Sequence, residues 1–146
     1  MKIPVSVLVI IYTTRNEVLL LERADHPGFW QSVTGSLDSL DEPLIKAAAR
    51  ELYEETGIDV NQLPKGALTS MNHSVEYEIY PQWRHRYPPG VIKNTEHWFK
   101  LELTTRAPVK LAPREHISYK WEPISTAASI CFSPSNKAAI EMLKIK

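Results

Sequence analysis

The stretch Gly35–Ile58 reads GSLDSLDEPLIKAAARELYEETGI. It begins as a glycine loop, runs into a helix and stops at Gly57. Asp41 is a suitable N-cap, Pro43 fits a first helical turn, and Ala47, Ala48 and Ala49 are strong helix formers. Gly57 suits a left-handed C-terminal stop. On a wheel of about 100° per residue, Leu44, Ile45, Ala48 and Leu52 share one arc, which predicts the buried face. Glu55 falls inside that arc and Glu51 just beyond its edge, with Glu54 farther round.

These glutamates oppose the helix in three ways. Glu51 and Glu55 are like charges one turn apart. They sit near the C-terminal end, where the helix dipole favours cations. Burying even one of them unpaired is costly. Such local conflicts tend to mark functional sites. A hard divalent cation relieves all three, and Mg²⁺ commonly takes one or two carboxylates plus substrate phosphates. A solvated acidic face, offset by Lys46 and Arg50, accounts for the spacing equally well.

The rest of the chain bounds the alternatives. Its 146 residues suit a single domain, 1–146, with a genuine core. The 17 acidic residues balance the 17 basic ones, which argues against sequence-independent nucleic-acid binding. The lone cysteine, Cys131, excludes an internal disulfide and reads as a small buried apolar residue. The apolar run from Val5 is too short to span a membrane, and no signal peptide is evident, so a cytoplasmic protein is expected.

Val5 to Tyr12 reads as a strand buried on both faces, and Glu17 to Arg23 as its hairpin partner. Residues 24–32 read as a loop. Ala67 to Tyr80 alternates, with Val75, Tyr77 and Ile79 on one face. Residues 81–90 and 107–117 read as loops, Thr95 to Leu103 as a strand, and Tyr119 to Trp121 as a short strand. Ser135 or Asn136 caps a final helix, Lys137 to Lys144.

The segment RELYEETG, Arg50–Gly57, resembles the second half of the motif G-x5-E-x7-R-E-U-x-E-E-x-G-U (U aliphatic) that marks the Nudix hydrolase family, and Gly35 and Glu42 resemble its first half. The chain departs at one place: six residues rather than five separate Gly35 from Glu42, which implies one inserted residue in the SLDSL loop. The resemblance implies an α+β fold, a mixed sheet sandwiched between helices. It also implies hydrolysis of a nucleoside diphosphate linked to another group, with Mg²⁺ (or Mn²⁺) on Glu51 and Glu55. Arg50 is then expected to orient the glutamates, with Glu42 and Glu54 close to the metal.

Outside the motif, HPGFWQSVTGS, RHRYPPGVIKNTEHWF and EHISYKW resemble the branch of that family that cleaves dihydroneopterin triphosphate, an early folate step. That closer likeness implies that Glu115 completes the metal site or acts as base, beside Glu54 and Glu55. It also implies that Lys2, Arg23, Thr34, Tyr77, Glu78, Ile79, Tyr80 and Ser133 bind substrate. Arg84, His85 and Arg86 are further candidates for phosphate, and Trp30, Trp83 and Trp98 for walls of a ring pocket. The histidines, His116 among them, show no metal spacing. Three readings follow: a dihydroneopterin triphosphate diphosphatase, a general (deoxy)nucleoside triphosphate pyrophosphohydrolase acting on dATP and others, or a Nudix-fold binding module without turnover. The expected partner is a small-molecule triphosphate, with neither nucleic acid nor membrane, and a monomer or small homo-oligomer.

Overall fold

The long apolar run becomes the axis of the sheet. In the computed structural model, which describes residues 1–143, β1 (Val5–Thr13) is buried from Ser6 onward. Apolar side chains on both faces require cover on both faces, and the fold supplies it. The seven-stranded sheet also comprises β2 (Glu17–Arg23), β3 (Trp30–Gln31), β4 (Val33–Ser36), β5 (Leu68–Glu78), β6 (Lys93–Leu103) and β7 (His116–Pro123). β1 runs parallel to β6 over its whole length, from Val5↔Thr95 to Thr13↔Leu103. The other pairings are antiparallel: β1 with β2 and β4, β2 with β3 and β7, and β5 with β6.

Alternation divides the core. Val7, Val9 and Ile11 point to the side covered by α1 (Leu44–Thr56), with Leu21, Leu52 and Leu101. Leu8, Ile10 and Tyr12 point to the side covered by α2 (Ile124–Ile130) and α3 (Pro134–Met142), with Trp98, Ala127 and Ile140. This is the expected mixed sheet between helices.

Several local expectations change. The N-cap of α1 is Pro43, whose carbonyl accepts the first helical bonds, and no side chain caps it. Asp41 instead accepts a hydrogen bond from Ser39 Oγ at 2.7 Å. Ile45 is 43% exposed rather than buried. The buried stripe drifts from Ala47 in the first half of α1 to Thr56 at its end, and Ile45 lies off that path. Residues 30–31 and 33–36, partly read as loop, form β3 and β4. Residues 81–86 form a 3-10 turn, and α2 follows β7 directly. Pro134 opens α3, with Ser133 rather than Ser135 or Asn136 as cap, accepting from the Asn136 amide. The expected end of that helix, Lys144, lies outside the described residues. Cys131 is half-buried, and burial pushes its thiol up to about 12, which leaves it unsuited to nucleophilic work.

Gly57 behaves as anticipated. It ends α1 at φ 76° with its amide on the Tyr53 carbonyl. Leu52 and Ile45 of α1 should differ sharply on truncation. Leu52→Ala, at a fully buried site, is expected to lower unfolding free energy by about 2–5 kcal/mol, and Ile45→Ala by less than about 1 kcal/mol, in denaturant titration.

Candidate active site

The site is assembled where β4 hands over to α1. Arg50 organises the junction. Its Nε and Nη2 donate to the two oxygens of Glu42 at 2.9 and 3.1 Å. Nη1 donates to Glu51 at 2.8 Å and to Glu54 at 3.0 Å, and Nη2 also reaches the Ser36 carbonyl at 3.0 Å. Glu42 in turn accepts from the Asp38 amide at 2.8 Å. One guanidinium therefore ties the helix end to the loop before it. The added loop residue is absorbed in this frame: Leu37 is buried, while Leu40 stands 80% exposed at the tip of the loop. The Glu42–Arg50 pairing is kept.

Gly35 shows why the loop needs glycine. A Cβ at this position would lie 2.1 Å from the Glu51 carboxyl carbon. Glu51 thus packs its carboxyl group directly against the β4 backbone at Gly35, and Arg50 holds it there.

Glu55 is the most exposed conflict in charge terms and the least exposed in space. It is 1% accessible, and neither carboxylate oxygen accepts a hydrogen bond from any described residue. Burial raises its pKa well above the carboxylate range, reinforced by Glu51 and Glu115. Burial also raises Glu51, against the pull of Arg50. Among the described residues the nearest basic atom to Glu55 is His116 Nε2, at 3.8 Å. His116 is itself buried, with Nδ1 unpartnered, and is pushed down to about 4 by desolvation and by Arg23. It is therefore a neutral nitrogen donor. One ligand atom from each of Glu55, Glu115 and His116 lies within 4.8 Å of the others. Orphaned buried oxygens, a neutral imidazole and a loop carboxylate make a donor set that fits a divalent cation.

Pairing of β2 with β7 creates this cluster. Arg23 stands opposite His116, after an irregularity between Glu22 and Arg23, and Ala24 donates to the Glu115 carbonyl at 2.9 Å. Residues far apart in the chain thereby meet beside α1. His116 is the site residue that sequence spacing missed: a histidine 61 positions after Glu55 carries no local signature.

The cluster opens into a cleft of about 400 Å³. Lys2, Arg23, Thr34, Tyr77, Glu78, Ile79, Tyr80 and Ser133 all line it, together with Glu55 and Glu115. Glu51, Glu54 and Arg50 do not; Glu54 is half-exposed and engaged with Arg50. Arg86 and Arg114 add positive charge to the wall. Arg23 is pinned by both oxygens of Asp25, at 2.8 and 2.9 Å, by Gln31 at 3.0 Å, and by the Trp83 ring 4.5 Å below it. Arg86 shares Asp25 at 2.9 Å. Lys2 has no ion pair among the described residues, and its pKa is lowered by desolvation and by Arg86 and Arg23. Such crowded cations suit an anionic ligand. Arg84 turns away to the Ile79 carbonyl, and His85 is outside the cleft.

Of the tryptophans, only Trp83 lines the cleft, where Tyr80 and Phe132 meet it at ring distances of 5.4 and 6.0 Å. Trp30 packs under Lys120, and Trp98 is buried against α2 and α3.

Two expectations follow. Gly35→Ala must displace Glu51 from Arg50, so divalent-ion affinity measured by titration calorimetry should fall about 10–100-fold while the protein stays folded. The raised Glu55 pKa means that the metal-free fold holds more protons than the unfolded chain above the ordinary carboxylate pKa of 4.5. Stability is then lost as pH rises through the folded pKa. Metal-free Glu55→Gln should accordingly exceed metal-free wild type by about 2 kcal/mol at pH 8 and show no gain near pH 4 in thermal melts.

The family model described as NUDIX domain matches residues 2–143. The chain is 46% identical over 147 residues to dihydroneopterin triphosphate diphosphatase of Escherichia coli strain K12, covering 99% of this chain and 94% of that protein. It is 42% identical over 137 residues to the protein of the same name from Haemophilus influenzae, covering 93% and 84%. The structure of the E. coli dihydroneopterin triphosphate pyrophosphohydrolase superposes with a TM-score of 0.88, over 97% of this chain and 94% of that one. By motif, fold and likeness alike, the chain belongs to the Nudix hydrolases.

Proposed function

We propose that this protein hydrolyses dihydroneopterin triphosphate to dihydroneopterin monophosphate and pyrophosphate, an early folate step, with Mg²⁺ or Mn²⁺ as its metal. The observation that carries the reading is the single cleft that joins the Glu55–Glu115–His116 cluster, the basic wall and an aromatic pocket. A triphosphate on a ring has the same sequence of parts. The relatives that share 46% and 42% of their residues over nearly full length bear the corresponding name.

Glu55, Glu115 and Glu51 would hold the cation, with His116 as a neutral fourth donor. When bound, the cation would neutralise phosphate oxygens and acidify a water. The chain's own groups do the rest. Lys2, Arg23 and Arg86 draw in the phosphate chain and orient it, Arg23 being held rigid by Asp25 and Gln31. Glu115, at the solvent-facing rim, accepts the proton of the attacking water. The water oxygen bonds to phosphorus, the anhydride P–O bond breaks, and pyrophosphate leaves with the electron pair. Arg50 and Glu54 act from behind, as positioning residues that fix Glu51. The aromatic edge at Tyr80, Trp83 and Phe132 takes the ring.

With Mg²⁺ and a panel of dihydroneopterin triphosphate and the four dNTPs, pyrophosphate release should be fastest per kcat/KM on the pterin. Glu55→Gln should reduce kcat by about 10³-fold or more. Equal kcat/KM on dATP and the pterin would replace this substrate with a general nucleotide. No metal-dependent release from any triphosphate would leave only a binding module.

A further inference from the structure

The phosphate end of the cleft holds an acid among its cations. Asp25, in the loop between β2 and β3, lines the cleft with Lys2, Arg23, Arg86 and Arg114. Its side chain is 34% exposed, so solvent and ligand reach it. An anion beside groups that must hold a phosphate chain opposes that chain by like charge. Attraction alone gives no reason for an acid here, but its hydrogen bonds supply one.

Arg23 has five N–H donors and commits three of them. Nε donates to Asp25 Oδ1 at 2.8 Å, Nη2 to Asp25 Oδ2 at 2.9 Å, and Nη1 to Gln31 at 3.0 Å. One N–H on each terminal nitrogen is left without a partner among the described residues. Two oxygens of one phosphate can accept from such a fork together. The Trp83 ring centroid lies 4.5 Å from the guanidinium carbon and fixes the plane of the group.

Arg86, at the end of the 3-10 turn 81–86, donates from Nη2 to the same Asp25 Oδ2 at 2.9 Å. Two guanidiniums brought together repel, and the shared carboxylate seats them side by side. Hydrogen bonds from Arg23, seconded by Arg86, hold the Asp25 carboxyl well below the usual carboxylate range, so it is charged at neutral pH. Lys2 joins the group through its amide, which donates to the Arg86 carbonyl at 2.7 Å.

We propose that Asp25 is the positioning residue of the phosphate end: it aligns the open fork of Arg23 beside Arg86, and its charge keeps the wall from gripping phosphate too tightly. Alignment serves turnover, and the weaker grip serves release of pyrophosphate. The arrangement reads phosphates and not the ring, so it serves a pterin triphosphate and a deoxynucleoside triphosphate alike. The inference rests on the triphosphate reading above and deepens it.

Asp25→Asn keeps the shape and removes the charge, whereas Asp25→Glu keeps the charge and shifts the geometry. Pyrophosphate binding to the metal-free protein is followed by NMR at the Arg23 Nε–H and Trp83 Nε1–H resonances. Asp25→Asn should bind pyrophosphate about 3–10-fold more tightly than wild type. Its Arg23 Nε–H should exchange with water about 10-fold faster or more. Its kcat on a triphosphate with Mg²⁺ should fall about 10–100-fold. Asp25→Glu should return pyrophosphate affinity to near wild type and recover part of kcat. A residue that only supports the fold would weaken binding and turnover together. Folded Asp25→Asn that binds pyrophosphate no more tightly than wild type would overturn the proposal, as would unchanged exchange at Arg23. In wild type, the Arg23 Nε–H should stay protected with and without pyrophosphate. Loss of protection in either state would overturn the proposal whether or not the variants fold. If no triphosphate is hydrolysed, the binding and exchange measurements still decide the role of Asp25, and only the hydrolytic reading falls.

Discussion

The site depends on one cation that belongs to the chain. The C-terminal half of α1 gathers Glu51, Glu54 and Glu55 where the helix dipole is negative, with no basic residue in its last turn. Among the described residues, Arg50 is the strong local compensation. It holds Glu42, Glu51 and Glu54 together with the Ser36 carbonyl, and these contacts raise its own pKa further. Each contact alone is a partly exposed ion pair of modest value. As a network on one rigid guanidinium they set the position of Glu51 against Gly35 and the path of the loop. Lysine could not do this, because one ammonium cannot address four acceptors in a plane.

Arg50 does not reach Glu55. That carboxylate is buried one turn farther on, beside other carboxylates and with a neutral histidine as its one basic neighbour among the described residues. The local frame is therefore satisfied around Glu51 and left unsatisfied around Glu55, which is where a cation fits. The same division recurs across the cleft. Arg23 is locked by Asp25, Gln31 and Trp83, whereas Lys2 is left unpaired among the described residues. In each case one group is fixed and its neighbour is left for ligand, a pattern that trades stability for preorganisation.

Much of this was legible from residue order. The β-branched run of β1, the alternation of β5 and β6, and the Gly57 stop all act through contacts within a few residues. So do the wheel positions of Leu52 and Glu55. Errors fell where a longer-range partner overrode local preference. Asp41 lost the N-cap because Glu42 is drawn to Arg50, and Ile45 lost burial because the buried stripe winds across the helix. Trp30 and Trp98 are tryptophans of the scaffold, since Lys120 and the α2–α3 core claim them.

Residue order alone sets the acidic helix, its register and its conflict of charges, because helical neighbours lie three and four residues apart. It also determined the family, through a motif confined to one loop and one helix. What answers that conflict comes from contacts made across the folded sheet. β2 pairs with β7, and this brings Arg23, Glu115 and His116 to the end of α1. Strand pairing joins residues at separations that no local period encodes, so the approach of His116 and Glu115 to Glu55 becomes visible only in the folded sheet.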